Sequence, residues 1–338
     1  MKPTRLCAVL VAALALGASL AAGATNPEAR RTSPASSPRS LESRRFGVYR
    51  GAGNSSGVRR FETWTGRSVD QVLDFFDGRS WRTIENPSWI LDRWQADQGR
   101  VAFEWGVPIL TTNGSSLDAG AAGRYDRHFS ALAHVLVTRG HAADTIRLGW
   151  EFNGSWFPWA AAGHEEAFVR YWRRIVNAMR SVPGAHFRFA WNPTRGRQAT
   201  SPDLSYPGDE YVDYIGLDNY DSSFWHTNNF TARWDDMVNE PFGLDWHRRF
   251  AASHRKPMSF DEWGLWPRRR GGGGDDPQFI EAMSRWISSN QVAYANFWDY
   301  GTHQLSNGSS PRASAVFRRL FGSPRIAPED AAPSAHGR

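Results

Sequence analysis

The chain has a single cysteine among its 338 residues. That residue, Cys7, lies inside an N-terminal apolar run, so a chain that has lost this run contains no cysteine. Such a chain forms no disulfide bond, and it has neither a thiol nucleophile nor a cysteine-based metal site. The ten histidines are scattered without the spacing of metal ligands, so we expect no metal and no cofactor.

A glycine-rich phosphate loop is also missing. Residues 51–54 (GAGN) follow the first predicted strand, but they match neither the dinucleotide-binding nor the P-loop pattern, so we expect no nucleotide. The formal net charge is +6 and falls only slightly if Lys2 and Arg5 are removed. This mildly basic balance does not indicate a nucleic-acid partner.

The two ends of the chain differ in composition from its centre. A basic start, an apolar run from Leu6 to Leu20 and an A-x-A site predict a signal peptide over residues 1–24. We therefore expect a secreted or periplasmic protein with no membrane span after cleavage, the alternative being that this segment stays as a membrane anchor. Residues 25–45 and 323–338 are predicted to be a disordered linker and a disordered tail. Residues 46–322 contain no second linker, which predicts one catalytic domain, acting as a monomer.

Within residues 46–322, short β-rich runs alternate with helical patterns. The predicted helices are 68–76, 125–139, 165–179, 242–254, 276–290 and 313–321. The predicted strands are 46–49, 81–84, 107–111, 145–150, 186–191, 211–217, 257–262 and 292–298. About eight strand–helix units in roughly 275 residues predict an α/β fold, a single (β/α)8 TIM barrel. A doubly wound sheet is the alternative.

Tryptophan is abundant, with 17 copies, and three of them surround Glu151 in residues 148–159 (LGWEFNGSWFPW). A carboxyl group among aromatic rings is poorly solvated, so its pKa should rise towards neutrality. Aromatic rings also pack well against the apolar faces of sugars. We therefore hypothesise that Glu151 is the general acid/base of a glycoside hydrolase. The alternative is an ordinary strand-end glutamate in an ion pair.

A second carboxylate is predicted on the same rim. In a β/α barrel the active site lies where the strands run into their following loops. Glu151 ends the fourth unit and Glu262 the seventh, so the two can face each other as the acid/base and nucleophile of glycoside cleavage. Asp261 is expected to face away from this pair. Arg147 is expected to share a strand face with Glu151, to point into the barrel and to keep the nucleophile ionised, the alternative being a structural ion pair.

Two motifs resemble those of a known family. The pattern R-x-x-x-E-x-N-G-x-W-F-x-W over residues 147–159 is similar to the acid/base segment of glycoside hydrolase family 26, and residues 260–264 (FDEWG) resemble its nucleophile segment. This β-mannanase-like family belongs to a clan of retaining glycosidases with (β/α)8 barrels. The resemblance implies these roles: Glu151 as acid/base, Glu262 as nucleophile, Trp156 and Trp298 as sugar platforms, and Tyr220 as a tyrosine that contacts the nucleophile.

The expected substrate is a β-linked polysaccharide. Trp150 stands where mannanases of the resembled family have a histidine that contacts the sugar, so we count Trp150 among the substrate-binding residues. The resemblance then leaves β-mannan, mixed-linkage β-glucan, β-1,3-xylan and other exopolysaccharides as candidates. Residues 268–274 (RRRGGGG) predict either a basic lid that favours an acidic polysaccharide or a solvated loop, and Asp275-Asp276 a helix cap. The competing function is a catalytically inactive, carbohydrate-binding barrel.

Overall fold

Parallel strands form a closed barrel in the computed structural model, which describes residues 44–223 and 228–322. The strands are β1 Arg45–Tyr49, β2 Gln71–Phe75, β3 Ala102–Val107, β4 Thr145–Leu148, β5 Arg188–Trp191, β6 Tyr214–Gly216, β7 Asn219–Tyr220, β8 Met258–Gly264 and β9 Val292–Trp298. From β1 to β6 each strand pairs in parallel with the next, β1 also pairs with β9, and β9 pairs with β8. The barrel closes because β8 pairs with β6 and then with β7, the short continuation of the sixth barrel strand. The predicted (β/α)8 barrel is confirmed.

Helices pack around this barrel. They are α1 Ser55–Thr65, α2 Trp81–Glu85, α3 Ser88–Trp94, α4 Leu117–Ala121, α5 Asp126–Thr138, α6 Glu165–Arg180, α7 Phe230–Asn239, α8 Leu244–Ser253, α9 Pro277–Ser289 and α10 Pro311–Phe321. The apolar core lies between helices and strands, where α6, for example, buries Phe168, Trp172 and Ile175. No helix in the described ranges is long and apolar enough to cross a membrane.

Two predicted elements in the second unit are wrong. Residues 68–76 were expected to form a helix, but residues 71–75 form β2, and the preceding helix α1 was not predicted. The helix-like spacing of apolar residues misleads here because β2 is buried on both faces and does not alternate. Residues 81–84, expected as a strand, lie in α2, whose N-terminus is capped by Ser80 through a capping box.

The third strand is displaced from its prediction. Residues 107–111 were expected to form a strand, but β3 spans Ala102–Val107. Pro108 follows directly, and a proline has no N–H with which to continue the ladder. The remaining predicted strands and helices overlap observed elements, with ends that differ by a few residues. The predicted signal peptide, most of the predicted linker and the predicted tail lie outside the described residues.

The barrel interior is polar rather than apolar. Glu104, Arg147, Asp261 and Asn296 are each 0% exposed, and their side chains contact one another or shared neighbours across the barrel. Glycines make room for these groups. A Cβ atom on Gly216 would lie 1.9 Å from the Asp261 carboxylate, so only glycine is compatible with this packing. The polar interior lies directly below the barrel mouth.

Candidate active site

Glu151 lies in a tight turn at the end of β4. The strand ends at Leu148, and both Gly149 and Glu151 have a φ of 51°. A left-handed conformation is unfavourable for a residue with a side chain, typically by about 1–3 kcal/mol. Here the turn is held on both sides, because the Gly149 N–H donates to the Val107 carbonyl (3.1 Å) and the Glu151 N–H to the Asn192 carbonyl (2.9 Å). Strand alternation, from which we expected Arg147 and Glu151 to share a face, therefore stops before Glu151.

Trp156 contacts the carboxyl group of Glu151. Its indole N–H donates to Glu151 Oε2 at 2.8 Å, although the side chain is 51% exposed. The ring lies directly against Gly154, where a Cβ atom would come within 2.4 Å of it. Because Gly154 has no side chain, the indole can lie flat enough over the turn to reach Glu151. The exposed ring is thus fixed in orientation beside the carboxyl group.

Trp150 lies deeper than Trp156. It is 8% exposed, and its ring centroid lies 5.0, 5.1 and 4.7 Å from those of Phe75, Phe157 and Trp159. The Trp159 indole N–H donates to the Trp150 carbonyl at 2.8 Å. The Arg147 guanidinium lies 5.7 Å from the Trp150 ring, within the range of a cation–π contact. The Trp150 ring therefore lies between the Arg147 guanidinium and the aromatic side chains of Phe157 and Trp159 in the same loop.

The surroundings of Glu151 favour its protonated form. Burial and the negative charge of Glu262 raise the pKa of Glu151 to about 7, while the Trp156 N–H and the Arg147 charge oppose this rise. A carboxyl group with such a pKa carries its proton in about half of the molecules at neutral pH. It can donate that proton to a ligand and take it back, which is the requirement for a general acid/base.

Glu262 lies in the opposite kind of environment. It is 7% exposed, its Oε1 accepts from Arg147 Nη1 at 2.7 Å, and its Oε2 accepts from the Tyr220 hydroxyl at 2.6 Å. Burial and the charge of Glu262 raise the pKa of Tyr220 well above its usual value, so the phenol keeps the proton that it donates. Both oxygens of Glu262 thus face donors, which stabilise a negative charge.

Arg147 connects the ends of several strands. Its guanidinium is 0% exposed and contacts Glu262, Asp218 and, at 2.6 Å, Asn192 Oδ1. Burial alone would lower the pKa of Arg147, but the carboxylates of Asp218 and Glu262 raise it well above the usual value. Arg147 is therefore a permanent positive charge in the interior, directly below the mouth.

Asp261 does not face away from the interior, as we had expected. The pairing of β8 with β9 shifts register between Phe260 and Trp263, and this β-bulge breaks the strict alternation of side chains. Asp261 consequently points into the barrel, where it accepts from Ser259 Oγ (3.0 Å) and Asn192 Nδ2 (3.3 Å). Asp261 and Glu262 thus both reach the interior, where Asp261 belongs to the polar network and Glu262 accepts a hydrogen bond from Arg147.

A proton is shared beneath Asp261. The Tyr294 hydroxyl lies 2.9 Å from Glu104 Oε1 and also 2.9 Å from Asp261 Oδ1. A hydroxyl has one proton, so it can donate to only one of these carboxyl groups and must accept from the other. Burial and the negative charge of Asp261 raise the pKa of Glu104 well above its usual value. The resulting chain of donors runs from protonated Glu104 through Tyr294 to Asp261.

Replacing Glu104 by glutamine should raise the free energy of unfolding at pH 8 by roughly 1–3 kcal/mol. Native Glu104 stays protonated, whereas the unfolded chain ionises it above about pH 4.3, so wild-type stability is lost as the pH rises towards the native pKa. Glutamine does not titrate, and its amide can accept from Asn296 and donate to Tyr294 as the protonated acid does. Urea unfolding at pH 4 and pH 8 tests this: the difference should vanish at pH 4. A variant that is destabilised equally at both pH values would contradict this prediction. The control is Glu166→Gln, because the side chain of Glu166 is 92% exposed.

The remaining predicted site residue, Trp298, lies at the end of β9. Its ring centroid is 4.1 Å from that of Tyr49 and 6.5 Å from that of Tyr220, so it faces the cleft opposite Glu151's loop. Tyr49 and Phe75, which line the same wall, were missed by our reading of the sequence. Tyr49 ends β1 and could have been found from its strand-end position, whereas Phe75 was assigned to a helix.

The loop after β8 is folded rather than open. Residues 268–270 form a 3₁₀ turn, and the indole N–H of Trp266 donates to the Arg270 carbonyl at 3.0 Å. Asp276 caps α9 by accepting from Gln278 N–H, as the pair Asp275-Asp276 predicted. Asp275 instead accepts from the backbone of α10, at the N–H groups of residues 312 and 313. Among the described side chains, no cluster of three or more His, Cys, Asp or Glu could hold a metal ion.

Known proteins share this arrangement of elements and motifs. The sequence profile of Glycosyl hydrolase family 26 matches residues 131–242, which contain β4, Glu151 and Tyr220. This part of the chain is therefore similar to that family. The chain is 25% identical over 282 residues to Endoglucanase H of Acetivibrio thermocellus, covering 80% of this chain and 29% of that protein. It is also 29% identical over 193 residues to a mannan endo-1,4-β-mannosidase of Bifidobacterium adolescentis, covering 52% of this chain and 19% of that protein.

The chain thus spans less than a third of the length of either relative. Among solved structures, it is similar to the catalytic domain of a family 26 endo-β-1,4-mannanase from Bacillus sp. JAMB-750. The TM-score is 0.59 at 16% identity, over 83% of this chain and 87% of that one. This likeness concerns the fold, and it agrees with the closed barrel described above.

Proposed function

We propose that this protein is a retaining glycoside hydrolase of family 26 that cleaves β-linked polysaccharides by double displacement. The observation that carries the proposal is the contrast between two carboxyl groups at the barrel mouth. Both oxygens of Glu262 accept hydrogen bonds, from Arg147 and Tyr220, whereas the pKa of Glu151 is raised to about 7. Two carboxyl groups with opposed environments are what a glycosidase with one nucleophile and one acid/base requires.

In the first step, a carboxylate oxygen of Glu262 attacks the anomeric carbon of the bound sugar. The bond from that carbon to the leaving oxygen breaks, and the leaving oxygen takes the proton of Glu151. In the second step, a water molecule gives a proton to Glu151, and its oxygen bonds to the anomeric carbon. The ester bond breaks and its electron pair returns to Glu262, so that both carboxyl groups regain their first state and the anomeric configuration is retained.

The residues around Glu262 and Glu151 support these steps. Arg147 and Tyr220 each donate to one oxygen of Glu262 and so fix the orientation of its carboxyl group before attack. When Glu262 becomes an ester, Arg147 keeps a charged partner in Asp218 and does not become an unpaired buried cation. Trp156 donates to Glu151 and so positions the acid/base, while its exposed face is available to a sugar on the leaving-group side.

The aromatic walls support a carbohydrate as the ligand. Trp298 is partly exposed at the mouth and is proposed as the platform for the sugar that is attacked. Trp150 is almost fully buried, so we assign it contact with the sugar through a ring edge rather than a face. Relatives of this chain are a mannan endo-1,4-β-mannosidase and an endoglucanase by name, which supports attack within a β-linked polymer. Such a polymer cannot enter a cell intact, which fits the export that residues 1–24 predict.

A substrate panel tests the proposal. Purified protein is incubated with β-1,4-mannan, mixed-linkage β-glucan, β-1,3-xylan and an acidic exopolysaccharide, and new reducing ends are counted. We expect hydrolysis of β-1,4-mannan, with oligosaccharide products and a β configuration at the new reducing end in NMR spectra recorded during the first turnovers. Inversion at the anomeric centre would overturn the mechanism. Failure on all four polymers would favour a binding protein that has lost catalysis.

A further inference from the structure

Asn192 contacts the supports of both carboxyl groups at the barrel mouth. It follows β5 directly and is 1% exposed. Its backbone carbonyl accepts from the Glu151 N–H at 2.9 Å, and its side-chain oxygen accepts from Arg147 Nε at 2.6 Å. Arg147 in turn donates to Glu262. Asn192 is thus one hydrogen bond away from the acid/base turn and two away from the nucleophile.

These two contacts of Asn192 fix a distance that the strands leave open. Arg147 lies on β4, but Glu151 has left that strand through a left-handed turn. The strand alone therefore does not determine how far the turn lies from the Arg147 guanidinium. Glu262 lies on β8, which pairs with β6 and β9 on the other side of the barrel. The end of β5 connects the turn to the guanidinium that holds Glu262.

Pro193 restricts the direction of the Asn192 carbonyl. The residue before a proline is disfavoured in the helical conformation and adopts an extended one, because the proline ring clashes with its N–H and Cβ. This restriction stabilises the contact of the Asn192 carbonyl with the Glu151 N–H. The Pro193 carbonyl itself accepts from the Asp218 N–H at 3.1 Å, so the segment is also attached to the link between β6 and β7.

The acid/base turn is attached to the same segment on its other side. The parallel ladder of β4 and β5 ends before Glu151, whose left-handed conformation does not continue it. The Asn153 side chain then takes the place of a strand. Its Oδ1 accepts from the Thr194 N–H at 2.9 Å, and its Nδ2 donates to the Thr194 carbonyl at 2.8 Å. Glu151 therefore lies between two attachments to residues 192–194, and its position depends on that segment.

The side-chain amide of Asn192 is bound through both of its polar atoms. Its Oδ1 accepts from Arg147, and its Nδ2 lies 3.2 Å from Asp218 Oδ1 and 3.3 Å from Asp261 Oδ2. An amide combines an acceptor and a donor in one planar group, so here the acceptor faces a cation and the donor faces carboxyl oxygens. An ionised carboxylate of the same shape would turn an oxygen towards Asp218 and Asp261. A methyl group would leave Arg147 Nε buried without this acceptor.

We propose that Asn192 is a positioning residue that holds the acid/base turn and the Arg147–Glu262 pair in one relative arrangement. The inference rests on the proposed hydrolase function and adds to it a residue that is too deeply buried to touch a substrate. Both carboxyl groups act on one glycosidic bond, and a misplacement of about 1 Å can lower a rate about a hundredfold. Loss of the amide should therefore slow the conversion of bound substrate rather than weaken its binding.

Asn192→Ala should lower kcat on β-1,4-mannan roughly 30- to 300-fold and leave KM within about threefold. Asn239→Ala is the matched control, since Asn239 also donates through its amide to a carboxylate, that of Asp235, at an exposed position of α7. This control should change neither constant by more than about twofold. A rise in KM at unchanged kcat would indicate a contact with the substrate and would overturn the proposal.

Asn192→Asp is the second variant, and it keeps the size of the side chain in case Asn192→Ala does not fold. Burial and two neighbouring carboxyl groups raise the pKa of the introduced acid, so at low pH it presents the same acceptor and donor as the amide. Its kcat relative to that of the wild type should be highest at pH 5 and fall towards pH 8, where the acid ionises. A ratio that is independent of pH would show that only side-chain shape matters, and would overturn the proposal.

Amide hydrogen exchange separates this inference from the proposed function. In NMR spectra of ¹⁵N-labelled protein, Asn192→Ala should speed exchange of the Glu151 N–H about tenfold or more, because the side chain no longer holds its acceptor in place. Exchange of the Val58 N–H, which donates to the Asn54 carbonyl in α1, should not change. An unchanged rate at Glu151 would overturn the inference whatever the kinetics. A wild type that turns over no polymer, beside faster exchange at Glu151, would instead refute the hydrolase.

Discussion

Replacing Glu262 by glutamine should lower kcat on β-linked polysaccharide by roughly 10⁴-fold or more, the scale of loss when a covalent nucleophile is removed. An amide oxygen is a poor nucleophile and cannot form the glycosyl ester. The fold should survive, because the glutamine oxygen can accept from Arg147 while its nitrogen donates to the Tyr220 oxygen. Release of reducing ends and calorimetry with an oligosaccharide should therefore show lost turnover and retained binding.

Glu166→Gln is the matched control for this change, because it alters the same side chain at an exposed position of α6. A more direct readout uses the wild type with a 2-fluoro β-mannoside that carries a good leaving group. The electron-withdrawing fluorine slows the second step, so mass spectrometry should find the sugar on a peptide that contains Glu262. Attachment elsewhere, or turnover of the glutamine variant above a hundredth of the wild-type rate, would remove Glu262 from its assigned role.

Glu151→Gln should have the second largest effect, lowering kcat on polysaccharide by roughly 10²- to 10⁴-fold, the range for loss of a general acid/base. The loss should depend on the substrate. A 4-nitrophenyl glycoside has a leaving group that needs no proton, so its first step should be affected much less. Its second step still lacks a base for water, and added sodium azide, a nucleophile that needs no base, should restore turnover and yield a β-glycosyl azide.

The same variant tests the raised pKa of Glu151. A general acid must be protonated, so with a pKa of about 7 the wild-type kcat/KM on polysaccharide should fall as the pH rises through 7. In Glu151→Gln this alkaline decline should be absent, because the amide does not titrate. Trp156→Phe removes the indole donor that opposes the rise, and it should move the decline to higher pH. A decline that stays near pH 7 in Glu151→Gln would assign it to another group.

The barrel could be predicted from the sequence because its units repeat. Regular spacing of strands and helices from residue 125 onward was enough for the count, and most of those elements agree with the structure. The prediction of the second unit was wrong, because β2 is buried on both faces and its apolar residues match helical spacing by coincidence. The secondary structure of this segment depends on its burial in the tertiary structure, which the local sequence does not indicate.

The proximity of Glu151 and Glu262 also follows from the sequence, through the rule that strand ends share one rim. The orientation of the neighbouring side chains does not follow from the sequence. A β-bulge between Phe260 and Trp263 turns Asp261 inward, and a left-handed turn at Glu151 replaces the extended strand that we expected. Gly149 marks the turn but does not show that Glu151 itself is left-handed, and no glycine or proline marks the bulge.

The polar interior has a consequence for how this sequence can change over time. Arg147 is neutralised jointly by carboxylates from separate strands, and burial together with the charge of Asp261 raises the pKa of Glu104 and favours its neutral form. Losing one member leaves another charge buried without compensation, which typically costs about 3–5 kcal/mol. Substitutions at these positions should therefore occur together in homologues, as covarying sets. The loops around the mouth contain buried ion pairs of their own, such as Arg50 with Asp299 and Arg233 with Asp221, and the members of these pairs should covary for the same reason.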